Sequence, residues 1–75
     1  DDINLILLPN PSLDFITINK DADLIEIYDV TGKKLLSFNN VIENQQLDIH
    51  QLQTGYYIVK VYDNEYVESR NLIKK

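Results

Sequence analysis

Apolar residues recur along this chain with a period of two: Ile16/Ile18, Ile25/Ile27, Leu47/Ile49 and Tyr57/Val59/Val61. That period places successive apolar side chains on one face of an extended strand, whereas an amphipathic helix needs spacings of three and four. The pattern predicts strands over 4–8, 15–19, 24–29, 34–38, 46–49, 56–62 and 66–73. No segment carries a helical stripe of useful length, and no repeat, low-complexity tract or linker divides the chain. Seven short strands in 75 residues predict an all-β fold, a single β-sandwich of antiparallel-rich strands in two sheets.

The expected core face comprises Ile16, Ile18, Ile25, Ile27, Leu47, Ile49, Leu52, Tyr57, Val59 and Val61. Each large aliphatic side chain, when fully buried, contributes about 1.5–3 kcal/mol against a large loss of chain entropy, so a single charge in this set should unfold the domain. Tyr56, Ile58, Lys60 and Tyr62 fall on the opposite face of the strongest strand, and Leu24, Glu26 and Tyr28 on the opposite face of an earlier one. That face is more apolar than a solvated sheet requires. Tyr28, Tyr56 and Tyr62 either cover neighbouring side chains or form a strip that binds a protein or a sugar; their spacing does not choose between a sugar and a protein.

Turn residues punctuate the strands. Gly32, last in Val30-Thr31-Gly32, suits a type I turn followed by a left-handed residue, closing a three-residue hairpin through a G1 bulge. Asp63-Asn64 suits a tight two-residue hairpin between the last two strands. Gly55 is expected to permit a turn that returns Leu52 to the core, and Asn19-Lys20-Asp21 and Asn39-Asn40 read as polar connections. Pro9 and Pro11 lack amide donors and extend the residue before them, so Pro9-Asn10-Pro11 reads as an edge strand bending from one sheet to the other, or as part of a surface that a partner reads.

Length and charge narrow the function. A chain of 75 residues makes one domain, which buries about 60% of its unfolded surface, and without cysteine no disulfide can staple it. The net charge of −5, with few and scattered cations, argues against nucleic acid and anionic membranes as partners. No apolar run approaches the roughly 20 residues that span a bilayer, and the N-terminus lacks the order of a signal peptide, so secretion would require one on a longer precursor upstream of Asp1. Catalysis finds little support: His50 is the sole histidine and reads as exposed at a strand end, and Ser12, Ser37 and Ser69 lie in no nucleophile setting. Asp21 and Asp23 flank Ala22 but lack the further ligands, glycine and distal glutamate of a calcium loop, so they read as solvated loop carboxylates and no metal or cofactor is expected.

Four blocks in order, Leu8-Pro9-Asn10-Pro11, Ile27-Tyr28-Asp29-Val30-Thr31-Gly32-Lys33, Leu52-Gln53-Thr54-Gly55-Tyr56-Tyr57-Ile58-Val59-Lys60-Val61 and Leu72-Ile73-Lys74-Lys75, resemble the type A C-terminal sorting domain of cargo for the type IX (Por) secretion system. The resemblance covers nearly the whole chain. It implies an immunoglobulin-like sandwich that follows an upstream cargo domain through the inner membrane and the periplasm. An outer-membrane translocon of Bacteroidota then recognises it, and a sortase-like cysteine peptidase typically removes it. Cargo is released or joined to surface lipopolysaccharide. By the same resemblance, Pro9, Asn10, Pro11, Tyr28, Asp29, Gly32, Gly55, Tyr57 and Val59 match family motifs and are expected to have structural roles. Lys60, Leu72, Ile73, Lys74 and Lys75 are the candidates for direct reading by the translocon. Leu8 stands where an aromatic often precedes the proline motif, and Asn71-Leu72 varies a segment that is frequently basic.

The competing reading is a carbohydrate- or protein-binding sandwich of a surface protein, with Tyr28, Tyr56 and Tyr62 as its face. Such a module works wherever it sits in a chain; a sorting domain must end its protein.

Overall fold

In a computed structural model, which describes residues 5–9, 14–64 and 66–75, the extended segments pair into two antiparallel sheets. The strands are β1 (Leu7–Leu8), β2 (Phe15–Ile18), β3 (Ala22–Asp29), β4 (Lys34–Val41), β5 (Leu47–Asp48), β6 (Gly55–Asp63) and β7 (Tyr66–Lys74). One sheet has the order β1-β2-β5 and the other β4-β3-β6-β7. In immunoglobulin lettering these are A-B-E and C′-C-F-G, the fourth strand lying beside C rather than beside E. All seven predicted strands are present in a β-sandwich.

The inner faces meet in one apolar cluster. All ten side chains expected in the core are buried there, joined by Leu5, Leu7, Ala22, Val41 and Leu72. Alternation explains the ten: Tyr57, Val59 and Val61 face in, while Tyr56, Ile58, Lys60 and Tyr62 face out. Leu5, Leu7 and Leu72 follow the alternation of the first and last strands, whereas Ala22 and Val41 lie where simple alternation fails. In β4 the inward residues are Leu36 and Phe38 and then Val41, a change of parity; Asn40, in the left-handed region at φ 53°, sits at that change. Asn39-Asn40 is therefore not a connection but the end of β4, where Asn tolerates the conformation that turns Val41 inward opposite Ala22.

The hairpins follow the turn chemistry. Gly32 has φ +95°, its amide donates to the Asp29 carbonyl (3.0 Å), and the Asp29 amide donates to the Lys33 carbonyl (2.9 Å). This is the expected type I turn with a G1 bulge. The β6–β7 hairpin closes one residue later than expected, because Asp63 still pairs with Tyr66 in the ladder and Asn64 alone of the predicted pair takes a positive φ, 55°. The prolines also differ from expectation. β1 and β2 lie in the same sheet, so Pro9 ends an edge strand and does not carry the chain between sheets; the Leu8-Pro9 peptide is cis. Contact with the other sheet is made upstream, where Arg70 Nε donates to the Leu5 carbonyl at 3.3 Å. Asn10 and Pro11 lie outside the described residues.

Leu72 sits on β7 opposite Tyr57 and is 0% exposed. Truncating it should cost about 2–5 kcal/mol. Leu72→Ala is therefore expected to lower the urea midpoint strongly with little change in slope, whereas Asn71→Ala, one residue earlier on the outward face, should shift it far less.

Candidate functional site

The outward face of the four-stranded sheet carries a linked polar cluster. Glu26 and Tyr28 stand two residues apart on β3 and so share a face, and the Tyr28 hydroxyl donates to Glu26 Oε1 at 2.6 Å. Tyr62, on β6 beside them, is the second hydrogen-bond partner of the same carboxylate. Lys34 Nζ approaches Glu26 Oε2 at 3.4 Å from β4. Lys60 lies opposite Glu26 in the β3–β6 register, and its ammonium sits 4.9 Å from the centre of the Tyr28 ring. Lys60, expected at the surface, is thus half-buried and engaged with an aromatic face.

These contacts set the titration of the cluster. The Tyr28 hydrogen bond, then that of Tyr62, holds the Glu26 carboxyl below its ordinary value. The same bond to Glu26 pushes Tyr28 up from 10.0 to about 12, and Tyr62 is raised for the same reason. A phenol whose ionisation is raised on folding stabilises the fold fully below its ordinary value and loses that contribution as pH climbs towards 12. Glu26 acts oppositely, contributing above 4.5 and losing it as pH falls.

The three tyrosines have different partners. Tyr28 and Tyr62 meet at Glu26, while Tyr56 lies six residues from Tyr62 along β6, roughly 20 Å at ordinary strand rise, and diagonal to Tyr28, which opposes Ile58. Tyr56 instead pairs across the ladder with Ile73 and is 69% exposed. Tyr28 and Tyr62 therefore serve the sheet's own network, and the sequence missed Glu26 as its centre. The available signal was the i, i+2 spacing of a carboxylate and a tyrosine on a strand face.

The terminal block divides by parity. Leu72 and Lys74 point inward; Ile73 and Lys75 point outward. Leu72 was expected at a readable surface but is a core residue. Lys74, likewise expected there, is only 7% exposed because the alternation that buries Leu72 turns its stem inward, its ammonium reaching the Lys75 carbonyl at 3.4 Å. Ile73 is 38% exposed and Lys75 is exposed.

Other motif residues have structural work. The Asp29 carboxylate accepts from the Thr31 amide (2.9 Å), the Thr31 hydroxyl (2.6 Å) and the Lys33 amide (3.0 Å), which holds its ionisation low. Gly55 opens β6 and Val59 is fully buried. Tyr57 faces the core near the start of β6, and its hydroxyl donates to the Gln53 carbonyl at 2.5 Å. That geometry is the tyrosine corner of immunoglobulin-like sandwiches, which pins the loop entering strand F. Sequence reading placed Tyr57 in the core without this bond; an inward tyrosine just after the Leu52–Gly55 turn was the signal.

Asp21 and Asp23 are tied to the fold as well, accepting from the Glu43 and Asn64 amides at 2.8 Å each. Among the described residues no group of three or more acidic, His or Cys side chains is placed to hold a metal ion. His50 is exposed, its Nδ1 2.6 Å from Asp48 Oδ1.

Fold, turns and corner together define a minimal immunoglobulin-like sandwich with its outward chemistry on a sheet face and a terminal strand. The family model for the secretion system C-terminal sorting domain matches residues 7–75, and the chain belongs to that family, the sorting tails of type IX secretion. Such a domain is a non-catalytic signal for export. A comparison with curated proteins found no match to this chain.

Two outcomes test the local chemistry. In an alkaline titration followed by phenolate absorbance, Tyr28 should ionise near 12, and Glu26→Gln should return it towards 10.0. Tyr57→Phe should remove the bond to Gln53 and cost about 1–3 kcal/mol in denaturant unfolding, since it leaves a carbonyl at the corner without its donor.

Proposed function

We propose that residues 1–75 are the sorting domain of a longer precursor, with cargo upstream, which passes through the periplasm of a member of the Bacteroidota. The type IX translocon recognises the folded sandwich at the outer membrane. A sortase-like cysteine peptidase then removes the domain near or before Asp1, and the cargo is released or attached to surface lipopolysaccharide. The observation that carries this reading is the family match over residues 7–75, which runs through the terminal block.

Within that block, Ile73 and Lys75 are the side chains offered to the translocon, with Tyr56 beside Ile73 across the ladder. Leu72 and Lys74 act by holding β7 in place. Pro9, Tyr28, Asp29, Gly32, Gly55, Tyr57 and Val59 build the scaffold, and Lys60 belongs to it through Tyr28. The alternative of a sugar-binding module is disfavoured by the engagement of the Tyr28 and Tyr62 hydroxyls with Glu26.

Deleting residues 71–75 would not test this, because Leu72 belongs to the core and loss of export would follow from unfolding alone. The discriminating experiment fuses the 75 residues to a reporter bearing a signal peptide and measures surface and medium fractions in hosts with and without the translocon. Export should require the translocon. Ile73→Thr combined with Lys75→Gln should lower it by about tenfold, equivalent to ~1.4 kcal/mol of recognition, while the reporter fusion stays folded. Retention of the parent fusion in both hosts would refute the assignment; undiminished export of the double variant would refute the role of these two side chains.

A further inference from the structure

The two flanks of the sandwich are unequal. On the β1/β7 side, Arg70 binds the Leu5 carbonyl, and Leu5, Leu7 and Leu72 are buried together. On the other side, β5 has two residues while β4 has eight, and among the described residues β4 pairs only with β3. Along this open edge Leu36 and Phe38 are only partly covered, Leu35 is exposed, and a cleft of about 480 Å³ opens between Leu35 and Leu36 on β4 and Leu52 and Gln53 beyond β5.

Charge sharpens the contrast. β7, the other edge of the same sheet, carries Glu68, Arg70 and Lys74, the kind of charge that deters an added strand. β4 carries none after Lys34: residues 35–42 read Leu-Leu-Ser-Phe-Asn-Asn-Val-Ile. The carboxylates responsible for the net charge of −5 are absent from residues 30–42. Lys33 and Lys34 precede the uncharged stretch and Glu43 follows it. An edge that is cationic at its start and anionic beyond its end complements a second copy of itself only when the two run antiparallel, which is the condition for an isologous two-fold pair.

We propose that β4 is an association edge for a second copy of this chain, the two β4 strands pairing antiparallel about a two-fold axis at Ser37. Side-chain parity selects the axis. Residues opposite one another in an antiparallel ladder face the same side, so an axis at Ser37 sets the inward Leu36 of one copy beside the inward Phe38 of the other. It also sets the outward Leu35 beside Asn39. The left-handed Asn40 ends the ladder. The pairing covers the two side chains that the single sandwich leaves only partly buried, and joins two four-stranded sheets into one.

The test uses the 75-residue chain in sedimentation equilibrium over a concentration series. The wild type should form a dimer. Ser37 is exposed and faces Glu26 across the β3–β4 register, so Ser37→Lys is tolerated in one copy but sets two ammonium groups together on the axis. It should weaken association by at least about tenfold, with an unchanged circular dichroism spectrum at low concentration. Ser37→Cys supplies the chain's sole cysteine and should oxidise to a covalent dimer with wild-type spectrum, which decides the matter if the lysine variant fails to fold. A wild type that stays monomeric at millimolar concentration would overturn the proposal, as would undiminished dimerisation of the lysine variant. Uptake of an unrelated strand peptide by a monomer would assign the edge to another partner and overturn it equally.

Discussion

The last strand closes the core. β7 pairs with β6 from Tyr66 to Lys74, places Leu72 against Tyr57, and through Arg70 holds the N-terminal segment at Leu5. A domain of 75 residues without cysteine has little margin, so the strand that completes its apolar cluster cannot be dispensable. The terminal residues are consequently divided by the two-residue period of a strand: Leu72 and Lys74 inward, Ile73 and Lys75 outward. The exposed placement of Ile73 and Lys75 beside a buried Leu72 exists only on the folded sandwich.

The rest of the motif set keeps that strand in register. Gly32 and the Asp29 carboxylate shape the β3–β4 hairpin, the Tyr57 hydroxyl pins the loop that enters β6, and Asp21 and Asp23 each accept an amide from a distant loop. Glu26 gathers Tyr28, Tyr62 and Lys34 on the outward face. Asp21, Asp23, Asp29 and Asp48 in this acidic chain thus act as acceptors for backbone amides, and Glu26 organises a sheet face. Residues that match a family by sequence need not touch the family's partner.

The inner face was legible because a period of two leaves no ambiguity about which side of a strand is apolar: all ten expected core residues are buried. What escaped the pattern depended on geometry that alternation does not encode. Val41 joins the core only because Asn40 takes a left-handed conformation just before it, at the end of β4. Leu72 falls in the terminal block that the family resemblance marks for direct reading, and its burial follows from which residue of β6 it opposes. Lys74 falls in the same block, and the alternation that buries Leu72 turns its stem inward. The tyrosine face is organised by Glu26, which takes up the hydroxyls of Tyr28 and Tyr62 in a network that alternation does not encode.

The dependence of the whole fold on its terminal strand is tested most directly by native-state hydrogen exchange of the β7 amides that bond to β6. If β7 is integral to the single core, those amides exchange only through global opening, with the same protection as the amides of β3 and β6. Exchange of β7 at a markedly lower opening free energy, with β3 and β6 still protected, would show a core that stands without its last strand and would contradict the account.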